Sequence, residues 1–156
     1  MPWSPDGSTT GAAQTGFTSP TYTLGSDLAP DSNSRQLVVT AVGGTQAGVR
    51  TSAAGDPFTL LIRKDRSYKT LPSRNPATGA YSGSIPKNKI EILGRKGVYI
   101  DADQNIQVAH LRLIAELPAG CEVRDPANVR ALVSMVLGTL AEESADYGDS
   151  LITGVI

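Results

Sequence analysis

The residue types that could do chemistry in this chain are few. Of 156 residues one is a histidine, His110, and one a cysteine, Cys121. A disulfide framework or a multi-cysteine zinc site needs partners that are absent, and a hydrolytic triad needs a nucleophile set beside that one imidazole. His110 sits within a strand pattern, and no G-x-S-x-G elbow occurs anywhere. The paired carboxylates Asp101 and Asp103 fall in a glycine-containing connection that reads as an exposed loop, a poor platform for acid and base catalysis. Catalysis and resident metals or cofactors are therefore not expected, which leaves binding. With a formal net charge of −1, the whole molecule exerts no pull on a polyanion, so any nucleic-acid contact must rest on locally clustered Lys and Arg.

The elements that must position such clusters are mostly strands. Residues 1–19 are rich in Gly, Ser, Thr and Pro without periodicity, and read as a flexible arm that cannot repay its ordering entropy by burial. The runs Thr21–Leu24 and Leu37–Val42 flank a turn-rich stretch, which predicts a hairpin over 20–44. A weaker strand is expected at Gly48–Ser52. In Phe58–Arg63 side chains alternate, with Phe58, Leu60 and Ile62 on one face and Thr59, Leu61 and Arg63 on the other. Lys87–Leu93 sets Ile90 and Ile92 against Lys89 and Glu91. Ile106–Leu117 gives the clearest alternation, with Leu111, Leu113, Ala115 and Leu117 opposed to His110, Arg112, Ile114 and Glu116. Two long connections separate these strands, Lys64–Pro86 and Leu93–Asn105, the second with a brief strand conceivable at Val98–Ile100.

After Pro118 the period changes. Asp125-Pro126 is a helix start, because the carboxylate can accept orphan N–H groups and Pro suits the first helical position. Val129, Leu132, Val133, Val136, Leu137 and Leu140 then recur at spacings of three and four, one apolar stripe on a four-turn helix. Ser144–Gly148 is expected to interrupt it, with Asp149 capping a short last helix that carries Leu151, Ile152, Val155 and Ile156. The longest apolar stretch, 129–140, spans about twelve residues where a membrane helix needs about twenty. With no basic and apolar leader in the first twenty residues, a soluble, cytosolic chain without membrane contact is expected.

Strands first and helices last predicts an α+β fold in which helices cover one face of an antiparallel sheet. One helix pair is too small to cover five strands, and a bare apolar face marks an interaction site. A homodimer in which each subunit's helices lie over the partner's sheet removes the difficulty.

This order of elements resembles the coat proteins of the single-stranded RNA bacteriophages, the levivirus family. The resemblance covers about residues 17–156 and is carried by the hairpin TYTLGSDLAPDSNSRQLVVTAVGG, the strand NIQVAHLRLIAELP and the ending DPANVRALVSMVLGTLAEESADYGDSLITGVI. It implies an N-terminal hairpin (20–44), a five-stranded antiparallel sheet (48–118) and two C-terminal helices (125–156) that interlock with a dimer partner. It further implies dimers tiling a T=3 icosahedral shell in the virion, assembled in the bacterial cytoplasm, with the sheet toward the packaged RNA. In several members the dimer also grips an RNA hairpin and represses replicase translation.

On that resemblance the RNA-facing side would display Thr59, Arg63, Lys87, Lys89, His110 and Arg112. Lys and Arg would neutralise phosphates, Thr59 could hydrogen-bond a base edge, and His110 could stack on an unpaired base where the family often uses an aromatic residue. The dimer interface would hold Val129, Leu132, Val133, Val136, Leu137 and Leu140. Gly94, Arg95, Lys96 and Gly97 would lie in the loop that packs around the symmetry axes, the glycines permitting two conformations. Some members cross-link that loop through cysteines; Leu93–Asn105 contains none. Two other readings stay open from sequence, an enzyme and a non-viral, monomeric nucleic-acid-binding β-domain, and both predict solitary molecules.

Overall fold

The computed structural model describes Pro5 and residues 7–156. Six strands form one antiparallel sheet in sequential order: β1 (Gly7–Thr10), β2 (Thr18–Asp27), β3 (Ser34–Thr45), β4 (Phe58–Lys64), β5 (Lys87–Val98) and β6 (Gln107–Pro118). Three helices follow, α1 (Cys121–Arg124), α2 (Pro126–Glu142) and α3 (Ser144–Thr153). The arrangement is the α+β order expected, with each strand joined to its neighbour by a short or long turn and no crossover.

Several boundaries differ from the sequence reading, each for a local reason. Within the stretch expected to be a flexible arm, Gly7–Thr10 pairs with Thr21–Leu24, and Thr18 and Ser19 already belong to β2; the part of the arm at residues 1–4 and 6 lies outside the described residues. Backbone pairing asks little of side chains, so a Gly/Ser/Thr strand leaves no periodic signature. The strand expected at Gly48–Ser52 does not form; the segment is irregular, and the isolated bridge Ala53 to Asp56 closes a tight turn just beyond it. Hairpin and sheet are continuous, six strands rather than a hairpin beside five.

The largest departure is at β5. Gly94 and Gly97 suggested a loop from Leu93, yet the strand runs on to Val98, in register with β6 from Leu111 to Gln107. Gly97 is buried because Asp56 and Ile106 press on it: an added Cβ would meet Ile106 Cγ2 at 2.8 Å. Its glycine reflects close approach, not a turn. The true connection between β5 and β6 is residues 99–106.

The N-terminus of α2 follows expectation. Asp125 accepts from the Asn128 N–H at 3.4 Å, and the Asn128 amide group donates to both carboxylate oxygens at 2.8 Å. The break expected over Ser144–Gly148 is instead the single residue Glu143, and α3 starts at Ser144 with Glu143, not Asp149, at its cap. The cause lies far off in sequence. Ser144, 5% exposed, donates its hydroxyl to Ala13 O at 2.6 Å and accepts Gln14 Nε2 at its carbonyl at 2.6 Å, while Thr15 reaches Asp149 at 2.8 Å. The turn between β1 and β2 thus holds the start of α3, a tertiary restraint that overrides the local small-residue signal.

Buried apolar side chains among the described residues are Leu37, Val39, Leu61, Leu93 and Ala119. A chain of this length that folded alone would be expected to hide roughly two thirds of its extended surface around one core. No Cα atom of α2 or α3 comes within 8 Å of a strand Cα among the described residues, and α2 buries none of its residues. The helices therefore do not cover their own sheet.

Candidate nucleic-acid interface and subunit surfaces

Strand register decides which side chains share a face. Across β4, β5 and β6 the rows Thr59–Arg95–His110, Leu61–Leu93–Arg112 and Arg63–Glu91–Ile114 run side by side, with Lys89 opposite Glu116 and Lys87 opposite Pro118. All six side chains singled out for RNA contact stand on this one face. The register also adds Arg95, which the sequence reading had put in a loop. Arg95 donates from Nε to the Thr59 hydroxyl at 3.0 Å and from an Nη to Gln36 at 2.8 Å. Thr59 is consequently buried, its hydroxyl already engaged.

Both carboxylates on this face are paired inside the chain. Glu91, 7% exposed, lies between two guanidiniums: Arg63 donates to one carboxylate oxygen at 2.6 Å, and Arg112 Nε stands 2.8 Å from the other. That second oxygen makes no well-aligned hydrogen bond, so Arg112 is an ion-pair neighbour rather than a clamped donor. The hydrogen bond from Arg63, followed by the charges of Arg63, Arg112 and Lys89, holds the Glu91 carboxyl below the usual carboxylate range. Lys89 lies 3.6 Å from Glu116. His110 is exposed on β6.

The opposite face carries the rows Leu60–Gly94–Leu111 and Ile62–Ile92–Leu113, with Phe58 beside Lys96. It is greasy and partly open: Leu111 is 58% exposed, and Ile90 and Leu113 are also exposed. A groove on this side is lined by Ile62, Ile90, Ile92 and Leu137. The stripe of α2 is open as well. Leu132, Val133, Leu137 and Leu140 are exposed, and Val129 and Val136 half-buried. Between the two lies β6, an edge strand exposed along nearly its whole length.

At the far end of β5, Asp56 receives both Arg50 Nε and, at 2.8 Å, Lys96 Nζ. Arg50 also donates to Gly97 O at 3.1 Å and stacks 4.4 Å over the Tyr99 ring. This cluster braces the root of the 99–106 connection. The hydrogen bonds from Arg50 and Lys96 hold the Asp56 carboxyl low.

No family model and no curated protein matches the chain. Among solved structures, the virus-like particle of bacteriophage ESE020 matches with a TM-score of 0.94 and 43% sequence identity, over 99% of both chains. The chain belongs to the coat proteins of the single-stranded RNA bacteriophages. Its role is structural, that of a capsid subunit.

For the coat protein, the expected assembly residues Gly94, Arg95, Lys96 and Gly97 need correcting in place. They stand in β5, with Arg95 on the charged face and Lys96 on the apolar one, and only residues 99–106 project as a loop. Arg50 and Asp56 were missed altogether. Their signal, an Arg six residues before an Asp in a Gly-rich turn, acquires meaning only when the turn is set against the end of β5. Cys121 is a free, half-buried thiol in α1.

Proposed function

We propose that the coat protein acts as an interlocked homodimer that builds a T=3 icosahedral shell around single-stranded RNA. One observation carries this reading: the apolar sheet face and the α2 stripe are complementary in kind, yet each is left largely open within the chain. Exposed apolar area of this extent marks an interface. A second copy satisfies both surfaces at once if each α2 crosses the partner's sheet through Val129, Leu132, Val133, Val136, Leu137 and Leu140. The open edge of β6 pairs with its copy about a two-fold axis, which gives one continuous sheet and an isologous contact.

In this arrangement the charged face of both subunits forms one floor toward the RNA. Arg63, Lys87, Lys89, Arg95 and Arg112 supply phosphate contacts, and exposed His110 offers a ring for a base. Thr59 serves by orienting Arg95. An RNA hairpin gripped on this floor would give replicase repression its physical basis. The 99–106 connection, braced at its root by Arg50 and Asp56, carries contacts between dimers around the symmetry axes. Assembly in the bacterial cytoplasm and residence in the virion follow from this role.

Electron microscopy of the purified protein tests the reading. Closed icosahedral particles containing RNA are expected; stable solitary subunits that never close into particles would sink it.

A further inference from the structure

The charged face holds five cationic side chains on β4, β5 and β6, Arg63, Lys87, Lys89, Arg95 and Arg112, yet also two carboxylates, Glu91 and Glu116. Glu116 is half exposed and sits at 3.6 Å from Lys89, an ordinary surface pair. Glu91 differs. It is buried in the middle of the face, between Arg63 and Arg112, the side chains that the RNA reading needs for phosphate contact. A buried carboxylate in the middle of an anion-binding surface opposes the binding of any polyanion. Its persistence there would be a defect if the face had only to attract RNA.

We propose that Glu91 is a specificity-determining residue of the RNA face, a built-in counter-anion that restrains Arg63 and Arg112 so that only RNA of matching geometry can recruit them. The inference rests on the proposed RNA-facing role of this surface. The two guanidiniums are held unequally. Arg63 donates a 2.6 Å hydrogen bond to Glu91, whereas Arg112 lies near the other oxygen without an aligned hydrogen bond, and its side chain is 54% exposed. Arg112 is the one placed to leave. A phosphate standing above it, fixed by contacts elsewhere on the floor, replaces one oxyanion by another at small cost. A phosphate presented at random has to compete with a carboxylate already in place. The device lowers affinity for unrelated RNA more than for a ligand whose phosphates fall in register, which is discrimination by a repulsive element.

The test compares wild type with Glu91→Gln, which keeps the shape and removes the charge. The probe is a mixed-sequence single-stranded RNA of about twenty nucleotides, bound to subunits kept dilute enough not to assemble and followed by fluorescence anisotropy against salt concentration. Each phosphate neutralised adds roughly 0.7 to the slope of log affinity on log salt for single strands. Glu91→Gln should bind the probe more tightly and steepen the slope by about 0.7 if one guanidinium is released, or about 1.4 if both are. Adding Arg63→Gln and Arg112→Gln to that variant should take the gain away. An unchanged or weakened affinity in Glu91→Gln overturns the proposal, provided that Lys89→Glu with Arg112→Glu still weakens binding. If that charge reversal leaves binding untouched, the RNA-face reading itself fails. Where the glutamine variant does not elute as the wild type does, Glu91→Asp, one methylene too short to span both partners, should show a smaller gain in the same direction, and no gain counts against the idea.

Discussion

The charged face of the sheet and the helical tail are opposite solutions to the same accounting of polar and apolar groups. On the face, Glu91 has Arg63 and Arg112, Glu116 has Lys89, Thr59 has Arg95, and Arg95 also has Gln36. On the tail, the apolar stripe from Val129 to Leu140, about three turns of helix, is largely open apart from Leu137 at the rim of a sheet groove, and the apolar side of the sheet is open around Ile90, Leu111 and Leu113. The subunit thus pairs the carboxylates of this face by itself and leaves its hydrophobic burial unfinished. Ion pairs at half-exposed positions contribute little to stability, about 0–1 kcal/mol each, whereas each large apolar side chain fully buried contributes about 1.5–3 kcal/mol. What holds the assembled protein together should therefore be what the single chain does not yet bury.

The sharpest way to break that contrast is Leu137→Asp. Leu137 already lines a groove with Ile62, Ile90 and Ile92, and in a dimer an unpaired carboxylate would be buried there at a cost of several kcal/mol. Soluble dimer and particles should both be lost, as read by size-exclusion chromatography with light scattering. A dimer or particle unaffected by the substitution would show that the helical stripe is not an interface. Next in size is the pair Lys89→Glu with Arg112→Glu. Their groups are exposed and their partners are on the same chain, so the dimer should survive. RNA content per particle, measured from the absorbance ratio at 260 and 280 nm, should fall severalfold.

A third comparison uses acid. Asp56 and Glu91 both have their carboxyls lowered in the folded chain, the first by hydrogen bonds from Arg50 and Lys96, the second by the bond from Arg63. A depressed carboxylate stabilises the fold at pH values above its unfolded pKa, and that contribution is lost as pH falls through the folded value. The ordinary values are 3.8 for Asp56 and 4.5 for Glu91, so thermal stability should be flat down to about pH 5 and fall below about pH 4. Asp56→Asn should be less stable at neutral pH and show a shallower acid decline. An acid profile identical to wild type would mean that the Asp56 cluster contributes nothing to the root of the 99–106 connection.

How far the residues announced all this depends on the kind of signal. Period-two alternation placed the faces of β4 and β6 and put Arg63, Lys89, His110 and Arg112 on a common side, because side-chain direction in a strand is purely local. The Asp125-Pro126 start of α2 was legible for the same reason. Three features were not. Gly94 and Gly97 read as a loop although they extend β5, since the glycine at 97 answers to Asp56 and Ile106 from other parts of the chain. The early start of α3 depends on Ala13 and Gln14, about 130 residues away. Arg95 on the charged face was hidden by the misplaced end of β5. In each case the deciding partner lies far off in sequence, where no local period can report it.

The smallest effect expected is also the one that tests the comparison most directly. Asp125 caps α2 through Asn128, and Asp125→Ala should cost about 1 kcal/mol of helix stability, the usual worth of an N-cap. Where that cost is felt depends on when the helix gains its packing. If α2 has nothing to rest on until a partner arrives, its loss of stability is charged to association. Two chains each weakened by about 1 kcal/mol then loosen the dimer by about 2 kcal/mol, roughly thirtyfold in dissociation constant. If α2 instead packs on its own subunit, the same substitution lowers the melting temperature of the single chain and leaves the dissociation constant where it was. Sedimentation equilibrium of wild type and Asp125→Ala at matched concentrations separates the two, because only unfinished burial in the subunit converts an exposed helix cap into a determinant of assembly.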